Sequence, residues 1–296
     1  MKFVLSAFSD EYNPNFERQL EGLSENGIFN MEIRGVDGKN IADISAAEAR
    51  ECRRKLDGAG IAVSSVGSPL GKVGLYDDVT DSGDAHLERA RRVFETAHIL
   101  GTKLIRVFSF YIPKGENPAL HRNAVIERMG KLLELADSEG VILCHENESS
   151  IYGESAENCL DLINTFGGRL KCIFDPANFI CCGHEAYPRA FELLNRHVFY
   201  MHIKDADANR RVVPAGTGLG HLPEILSWLA KSDNPFYNGV CYLSVEPHLK
   251  VFPGFEKLDG ARRAELGSAY ESNEEAFGAA CAAIKQILAG FHARPV

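Results

Sequence analysis

Residues 103–147 of the chain read "KLIRVFSFYIPKGENPALHRNAVIERMGKLLELADSEGVILCHEN". Two runs rich in branched and aromatic residues, KLIRVFSF and GVILCHEN, flank a segment in which apolar residues recur with helical spacing. The predicted apolar face of this helix contains Leu120, Ile126, Met129, Leu133 and Ala136. A helix between two strands is the usual connection of a parallel sheet, so this stretch predicts one strand–helix–strand unit.

The same unit recurs along the sequence. Six further runs predict strands: FVLSAF, FNMEIRG, IAVSSVG, LKCIFDP, VFYMHIKD and VCYLSVEP. Helical patterns separate the eight predicted strands, and no shift in composition marks a linker. Eight such units in about 250 residues match a (β/α)8 barrel, so we predict an α/β fold with a single TIM-barrel domain over residues 1–296. A doubly wound sheet is the alternative, but its first turn should be rich in glycine, and SAFSDEYNPNF contains none.

The composition narrows the classes of partner. The formal net charge of −9 disfavours a nucleic acid, because affinity for a polyanion comes mostly from Lys and Arg. The sequence contains no run of eighteen apolar residues, so we expect no membrane span. The N-terminal MKFVLSAFSDEY predicts a first strand and not a signal peptide. A small-molecule substrate is the favoured partner.

The eight cysteines indicate a reducing compartment. They show no CxxC spacing, and most of them lie inside apolar runs, where a thiol behaves as a small hydrophobic group. We therefore expect a cytoplasmic protein. Long segments after the third and eighth strands, residues 68–83 and 249–272, favour a dimer or tetramer.

Four successive strands end on polar side chains of the kind that bind metals. The fifth strand ends at Glu146, the sixth at Asp175 and the eighth at Glu246, while the seventh carries His202. The carboxyl ends of barrel strands meet at one rim, so we expect these groups to converge there. The alternative interpretation is four unrelated polar residues, each paired with Lys or Arg.

The alternation of side chains along a strand supports an inward orientation of these four groups. Residues of opposite parity, which would face the helices, are apolar almost throughout: Leu143, Phe174, Ile203, Leu243 and Val245. His145 is the exception. Converging carboxylates repel one another in a barrel interior, and a divalent cation removes that repulsion directly. Three oxygen ligands and one imidazole suit Mn²⁺, Mg²⁺, Co²⁺ or Zn²⁺, and the lack of thiolate disfavours a structural zinc.

The strand-end series HEN, FDPAN, HIKD and VEPH occurs in this order, with PAGTGLG after the seventh strand, SDEY near the start and RVFSF in the fourth strand. This series resembles the xylose isomerase-like TIM-barrel superfamily, and within it the sugar phosphate isomerase/epimerase proteins. The resemblance implies one metal ion held by Glu146, Asp175, His202 and Glu246. It also implies that the two glutamates act as an acid/base pair across the substrate. Many members place a His where this chain has Asn178.

We therefore predict a divalent-metal-dependent isomerase or epimerase that acts on a ketose or sugar phosphate. Proton transfer at the carbon next to a carbonyl needs a carboxylate base, and epimerisation needs groups on both faces of the intermediate. Glu146 and Glu246 are the candidate catalytic residues. The candidate substrate contacts are Lys204, His248, Arg34, Lys72 and Asn178.

Three further expectations concern single features. Arg34 and Lys72 follow the second and third strands, where positive charge would suit a phosphate or carboxylate of the substrate. Glu32 and Arg106 lie inside strands that share a layer, and we expect them to form a buried structural pair. The segment GTGLGHLPEIL could bind a phosphate, but it lacks the Lys-Ser/Thr of a P-loop, so a structural turn is favoured.

Three rival functions remain open. A dehydratase of inosose or a related polyol ketone shares the first step, removal of a proton beside a carbonyl. An abasic-site endonuclease needs a multi-metal cluster richer in His and a basic groove, which the acidic charge and Asn178 disfavour. A non-catalytic sugar-binding protein would bind ketoses without exchanging their α-protons.

Overall fold

The computed structural model describes residues 2–77, 79–80, 83–251 and 270–292. Eight strands form the central sheet: β1 Lys2–Ala7, β2 Asn30–Ile33, β3 Ala62–Val66, β4 Leu104–Val107, β5 Ile142–Glu146, β6 Lys171–Phe174, β7 Val198–Ile203 and β8 Val240–Val245. Each of them lies inside a run that predicted a strand, or starts at most one residue before it. The predicted alternation of strands and helices is confirmed.

Nine α-helices lie among the described residues: α1 Phe16–Glu25, α2 Ala46–Ala59, α3 Ala85–Leu100, α4 Arg122–Glu139, α5 Ala156–Thr165, α6 Pro176–Cys181, α7 Phe191–Leu194, α8 Leu222–Leu229 and α9 Asn273–His292. Short 3₁₀ turns precede several of them: Ser9–Glu11, Ile41–Asp43, Pro118–His121 and Tyr152–Glu154. Two-stranded hairpins occur in loops: Gly35–Val36 with Lys39–Asn40, Val79–Thr80 with Gly83–Asp84, and Asp205–Ala206 with Val212–Val213.

The eight strands close into a barrel in their order along the chain. Neighbouring strands pair in parallel, and β1 completes the barrel by pairing with β8 from Lys2↔Val240 to Ala7↔Val245. Because all strands run the same way, their carboxyl ends lie at one rim. The fold is therefore a (β/α)8 TIM barrel, as predicted.

Most of the core lies between the strands and the surrounding helices. Outward residues of the strands, such as Leu143, Ile203 and Leu243, are buried together with helix residues such as Phe94 and Leu133. A second, smaller apolar cluster contains Leu104, Cys144, Ile173, Phe199 and Tyr200. Cys144 and Ile173 share the parity of Glu146 and Asp175, so this cluster lies beneath the acidic strand ends.

Helix ends follow the predicted local chemistry. The Ser45 side chain accepts from the Glu48 backbone N–H while the Glu48 carboxylate accepts from the Ser45 N–H, which is a complete capping box. Gly60, Gly101 and Gly140 end their helices in the left-handed conformation. One prediction is wrong: Leu120 is 77% exposed, because it lies in the 3₁₀ turn that precedes α4 and does not continue the apolar face of that helix.

The loop after β3 packs directly on the chain after β4. Gly71 has φ +86°, and a Cβ atom at this position would lie 2.0 Å from the carbonyl oxygen of Phe108, so only glycine fits. The Phe108 and Phe110 N–H groups donate to Leu70 and Gly71 in the same region. Of the long segment after β8, residues 252–269 lie outside the described residues. Within the described part of the chain, no helix combines the length and the apolar character that crossing a bilayer requires.

Candidate metal centre

Four side chains from β5 to β8 and their ends meet at the carboxyl rim of the barrel. Glu146, Asp175, His202 and Glu246 each offer one ligand atom, and these atoms all lie within 4.8 Å of one another. The His202 Nδ1 atom is 3.1 Å from Glu146 Oε1, 3.9 Å from Asp175 Oδ2 and 3.8 Å from Glu246 Oε2. All four side chains are buried. The structure thus brings together the four residues that the sequence singled out.

His145, the one polar residue among those of outward parity, also agrees with the predicted alternation of side chains along β5. His145 faces away from the four-residue cluster and its Nε2 atom lies 3.0 Å from the Ser109 hydroxyl oxygen. Burial lowers the pKa of His145 to about 4, which keeps its imidazole neutral at physiological pH. A neutral, hydrogen-bonded imidazole is compatible with the apolar layer between strands and helices. His145 therefore does not weaken the inward orientation of Glu146.

Cationic side chains surround the four-residue cluster. The Lys204 ammonium lies 2.6 Å from Glu246 Oε2 and 2.9 Å from Asp175 Oδ2. Arg106 NH1 lies 3.1 Å from Glu146 Oε2 and 3.8 Å from Glu246 Oε1. The alternative of carboxylates paired with Lys or Arg therefore describes part of the arrangement. It does not account for all of the negative charge.

The charge of the cluster leaves room for a divalent cation. Six carboxyl groups lie in or against it, and three permanently charged side chains face them. The carboxyl groups are Asp10, Glu11, Glu32, Glu146, Asp175 and Glu246, and the cations are Arg34, Arg106 and Lys204. Buried carboxylates in this excess must bind protons or a cation.

Buried oxygen atoms without hydrogen bonds support the same conclusion. Among the described residues, no donor has hydrogen-bond geometry toward Glu146 Oε2, Asp175 Oδ2 or Asn178 Oδ1. Lys204 and Arg106 lie near the first two only as ion pairs. Hard oxygen atoms of this kind suit Mg²⁺ or Mn²⁺, and the imidazole nitrogen extends the choice to Zn²⁺ or Co²⁺. The residues present therefore fit a divalent cation.

The titration behaviour of the cluster reflects its excess negative charge. Burial raises the pKa of Asp175 to about 6, with Lys204 opposing the shift. Burial alone would lower the pKa of His202, but the carboxylates of Glu146 and Glu32 raise it to about 10. The pKa of Glu246 lies well below its ordinary value because Lys204 and the neighbouring cations outweigh the effect of burial. A bound metal would replace the proton of His202, since only the neutral nitrogen is a ligand.

The prediction that Glu32 and Arg106 pair with each other is wrong, because each of them contacts other residues. Glu32 Oε1 accepts from the Tyr200 hydroxyl at 3.0 Å and lies 3.4 Å from His202 Nε2, while Arg106 is directed at Glu146. A carboxylate on the second nitrogen of a metal-binding His fixes its orientation and its tautomer. Glu32 therefore positions His202, a role that the sequence reasoning missed.

Asn178 holds the two neighbouring acids in place. Its side-chain NH₂ donates to Glu146 Oε1 at 3.0 Å and to the Asn147 carbonyl at 2.9 Å. Both partners are acceptors, so the orientation of the amide is fixed by its surroundings. The Asn178 backbone N–H donates to Asp175 Oδ1 at 2.9 Å, which caps α6. Asn178 thus touches two members of the cluster, where the sequence placed it only as a substrate contact.

The first loop contributes two acids that the sequence reasoning missed as site residues. Arg34 donates through Nε and NH2 to both oxygens of Asp10 and through NH2 to Glu11 Oε1. Its NH1 group donates to Glu246 Oε1 at 3.0 Å. Burial raises the pKa of Glu11 to about 8, although Arg34 opposes the shift. The only signal in the sequence was the SDEY motif after β1, whose two acids follow no periodicity.

The remaining predicted contacts lie around this network. The His248 backbone N–H donates to Glu11 Oε2 at 2.6 Å, and its Nε2 atom lies 3.6 Å from Glu246 Oε1. Lys72 is at the rim, 2.9 Å from Glu148 Oε2 and 4.4 Å from the centre of the Phe108 ring. Lys72 thus belongs to a pair at the mouth of the barrel, and Arg34 to the buried network beneath it.

The glycine-rich segment after β7 is wrapped around a carboxylate of the chain. Asp205 accepts hydrogen bonds from the backbone N–H groups of Ala206, Gly216, Gly218 and Gly220 at 2.8–3.0 Å. A Cβ atom on Gly218 would lie 2.4 Å from both the Ala206 carbonyl and Asp205 Oδ1. The segment is therefore a structural turn, and Asp205, which the sequence reasoning overlooked, is the group that organises it.

Known structures share this fold over nearly the whole chain. A D-psicose 3-epimerase of Clostridium cellulolyticum H10, solved with D-tagatose, is 16% identical, with a TM-score of 0.70 over 98% of this chain and 99% of that one. The probable 3-DHS dehydratase AsbF of Bacillus anthracis is 15% identical, with a TM-score of 0.69 over 96% and 99%. The IOLI protein, solved with a zinc atom, is 17% identical, with a TM-score of 0.71 over 99% and 100%.

Identities this low show a common fold and leave the reaction open. A comparison with curated protein sequences gives no significant match. The family model described as xylose isomerase-like TIM barrel matches residues 22–266, which is most of the chain. This match agrees with the closed barrel and with the strand-end series HEN, FDPAN, HIKD and VEPH. The chain belongs to the xylose isomerase-like TIM barrel family.

Proposed function

We propose that this protein is a divalent-metal-dependent sugar isomerase or epimerase that moves a proton at the carbon next to a carbonyl. The observation that carries the proposal is the buried cluster of Glu146, Asp175, His202 and Glu246, whose ligand atoms lie within 4.8 Å of one another. Two of its carboxyl oxygens, Glu146 Oε2 and Asp175 Oδ2, have no hydrogen-bond donor among the described residues. A D-psicose 3-epimerase shares the fold along its whole length, which supports this reaction class. Manganese, magnesium, cobalt and zinc all remain compatible with the donor set.

A divalent cation held by these four residues would supply Lewis acidity that polarises a carbonyl oxygen of the sugar. The chain itself supplies the groups that bind and move protons. Glu146 and Glu246 enter the mouth from β5 and β8, which are separated by β6 and β7 around the barrel. Two carboxylates on different sides of a bound carbon can remove a proton from one face and return it to the other.

The surroundings of the two glutamates keep them oriented for this task. Glu246 is held by Arg34 through Oε1 and by Lys204 through Oε2. Glu146 is held by Asn178 through Oε1 and faces Arg106 through Oε2. Such fixed positions lower the cost of reaching a reactive geometry. Lys204 is also placed to donate a hydrogen bond to a sugar oxygen beside Glu246.

The test is solvent deuterium uptake by ketoses, followed by NMR after metal analysis of the protein. We expect exchange at the carbon next to the carbonyl that requires added Mn²⁺ or Co²⁺. In Glu146→Gln and Glu246→Gln the exchange should fall by a factor of about 10³ or more, because the proton acceptor is lost. Glu157→Gln, which removes an exposed acid on α5, is the matched control and should exchange normally. Exchange that persists in chelator or in either site variant would contradict the proposal.

A dehydratase is the second candidate, and Lys204 is the observation that favours it. Its buried ammonium lies 2.6 Å from Glu246 Oε2, where it could protonate a hydroxyl that leaves from the carbon beyond the deprotonated one. The fold is also shared with the probable 3-DHS dehydratase AsbF. Incubation with inososes distinguishes the two reactions: loss of water appears as a new enol or diketone absorbance, whereas an epimerase gives an isomer of equal mass.

A further inference from the structure

We propose that the substrate bound at the rim is an uncharged sugar, and that the protein discriminates against phosphorylated and carboxylated sugars. This inference rests on the proposed function, since it specifies the substrate class of the same site. Its basis is the state of the four positive charges nearest the four-residue cluster and of two backbone anion sites beside it.

Arg34, which lies beneath the mouth of the barrel, already donates its hydrogen bonds to carboxylates. All three guanidinium nitrogens of Arg34 donate: Nε and NH2 to Asp10, NH2 also to Glu11, and NH1 to Glu246, at 2.9–3.0 Å. Arg34 is 3% exposed. A phosphate would have to displace these carboxylates and leave them buried without a partner, which costs more than the new contact returns. Arg34 is therefore a structural clamp for the acids of the site.

The second arginine is committed in the same way. Arg106 donates through Nε and NH2 to the carbonyl oxygens of Ser68 and Gly67, and its NH1 group faces Glu146 at 3.1 Å. Its guanidinium lies about equally far from the rings of Phe8 and Phe108, with both centroids at 5.1 Å. This packing between aromatic rings fixes Arg106 beneath the rim.

The two lysines complete the set. Lys204 lies between Asp175 and Glu246 at 2.9 and 2.6 Å. Lys72 pairs with Glu148 at 2.9 Å, and the two side chains are only 9% and 12% exposed. Among the described residues next to the four-residue cluster, seven carboxyl groups face four permanent cations. The acids are Asp10, Glu11, Glu32, Glu146, Glu148, Asp175 and Glu246, and the cations are Arg34, Lys72, Arg106 and Lys204. A divalent metal would bring this balance near neutrality and not to a positive charge.

Two sets of backbone donors of the kind that commonly bind phosphate are also occupied by carboxylates of the chain. Asp205 accepts from Gly216, Gly218 and Gly220 in the glycine-rich segment after β7. The first turn of α6, which starts at the mouth, is capped by the Asp175 side chain. Helix N-termini and glycine-rich turns are the usual phosphate sites of α/β proteins. Here each of these two holds an anion that is covalently part of the protein.

Hydroxyl groups, in contrast, find suitable partners at the same place. Among the described residues, Asn178 Oδ1 has no donor in hydrogen-bond geometry and is buried beside Glu146. Carboxylates that already hold one cation still accept hydrogen bonds through their remaining lone pairs. A polyhydroxylated neutral sugar supplies donors to these oxygens and adds no charge. The chemistry of the mouth thus matches a ketose and not its phosphate.

The experiment is calorimetric titration of the Mn²⁺-loaded protein with D-fructose and D-tagatose and with their 6-phosphates, beside NMR exchange with each. We expect at least one of the two neutral ketoses to bind at least 10-fold more tightly than its phosphate, and inorganic phosphate at equal concentration not to compete. A second arm uses Glu148→Gln, which releases Lys72 from its carboxylate and should improve binding of the phosphates at least 5-fold. Glu157→Gln on the exposed face of α5 is the control, and it should leave the affinities for the ketoses and for their phosphates unchanged.

The outcomes separate this inference from the proposed function. Equal or tighter binding of the phosphates would overturn the inference even where proton exchange is observed. Binding of neither ketose, or no gain of phosphate binding in Glu148→Gln, would overturn it as well. Preferential binding of a neutral ketose without any deuterium exchange would support the inference and contradict the proposed isomerase or epimerase. Preferential binding with metal-dependent exchange supports both.

Discussion

Lys204 is the side chain that most directly neutralises the negative charge of the candidate metal ligands. Its ammonium lies within 2.9 Å of one oxygen of Asp175 and one of Glu246, both of which are candidate metal ligands. The neighbouring carboxylates raise the pKa of Lys204 well above its ordinary value despite burial, so the group stays charged. A fixed positive charge next to a metal site weakens metal binding, because two like charges 4 Å apart repel by about 4 kcal/mol at an effective dielectric constant near 20.

We therefore predict opposite effects of Lys204→Met on binding and on turnover. Metal affinity should rise at least 10-fold, since the competing charge is gone, while sugar proton exchange should fall at least 10-fold, since a donor beside Glu246 is lost. Competition with a fluorescent chelator measures the first quantity and NMR exchange the second. Lys231→Met, at an exposed position after α8, is the control. Unchanged or weaker metal binding by the Lys204 variant would show that the ammonium does not compete for these oxygens.

At the scale of elements, the turn after β7 depends on a single carboxylate. Asp205 accepts four backbone N–H donors, and burial nevertheless raises its pKa. Removing the acceptor leaves several donors of a partly buried turn without partners, so Asp205→Ala should lower the free energy of unfolding by about 3 kcal/mol. Urea denaturation followed by circular dichroism measures this loss. Asp207→Asn, which breaks a partly exposed pair with Arg211, should cost less than about 1 kcal/mol. Equal losses in both variants would refute the role of Asp205.

The contact between α4 and α5 provides a prediction about pH. Arg122 binds both oxygens of Asp161, and the Tyr152 hydroxyl donates to Asp161 as well. These partners, Arg122 first, lower the pKa of Asp161 in the folded protein. A lowered carboxyl pKa contributes stability that is present above the unfolded value of about 3.9 and is lost as the pH falls toward the folded value.

The stability difference between the native protein and Asp161→Asn should accordingly be constant between pH 5 and pH 8 and shrink below about pH 4. Urea midpoints of both proteins across this range measure it. Asp137→Asn, whose pair with Arg169 is exposed on both sides, should show a smaller difference throughout. A difference for Asp161→Asn that grows on acidification would reverse the sign and contradict the assignment.

Elements of this protein are predictable from sequence where a periodic pattern meets a buried surface. All eight barrel strands coincide with apolar runs because both of their faces are covered. The prediction that the apolar face of α4 includes Leu120 is wrong, because Pro118 begins a 3₁₀ turn that directs Leu120 toward solvent. Asp10 and Glu11 follow no period, and their approach to Arg34 is set by how the first loop folds over the barrel.

At the scale of the whole molecule, the candidate site could be located because parallel strands deliver their ends to one rim. That argument gives the direction of Glu146, Asp175, His202 and Glu246 but no information about their counter-charges. Lys204 is two residues after His202 and shares its parity, yet its contact with two of the acids depends on side-chain conformation. The roles of Glu32 and Asp205 depend on distances between strands and loops that a single sequence does not contain.

A site assembled from four consecutive strands should couple metal binding to the stability of the barrel. Glu146, Asp175, His202 and Glu246 come together only when β5 to β8 are correctly paired, so a cation bound by all four binds the folded state far better than the unfolded chain. Metal at about 100 times its dissociation constant would then stabilise the fold by about 2.7 kcal/mol. For a chain of this size we expect the melting temperature to rise by about 5 °C with Mn²⁺ and to return to its original value with chelator.

The rise should disappear in Asp175→Asn and persist in Asp233→Asn, a change at an exposed carboxylate. If divalent cations leave the melting temperature of the native protein unchanged, the converging acids are neutralised by Lys204, Arg34 and Arg106 alone.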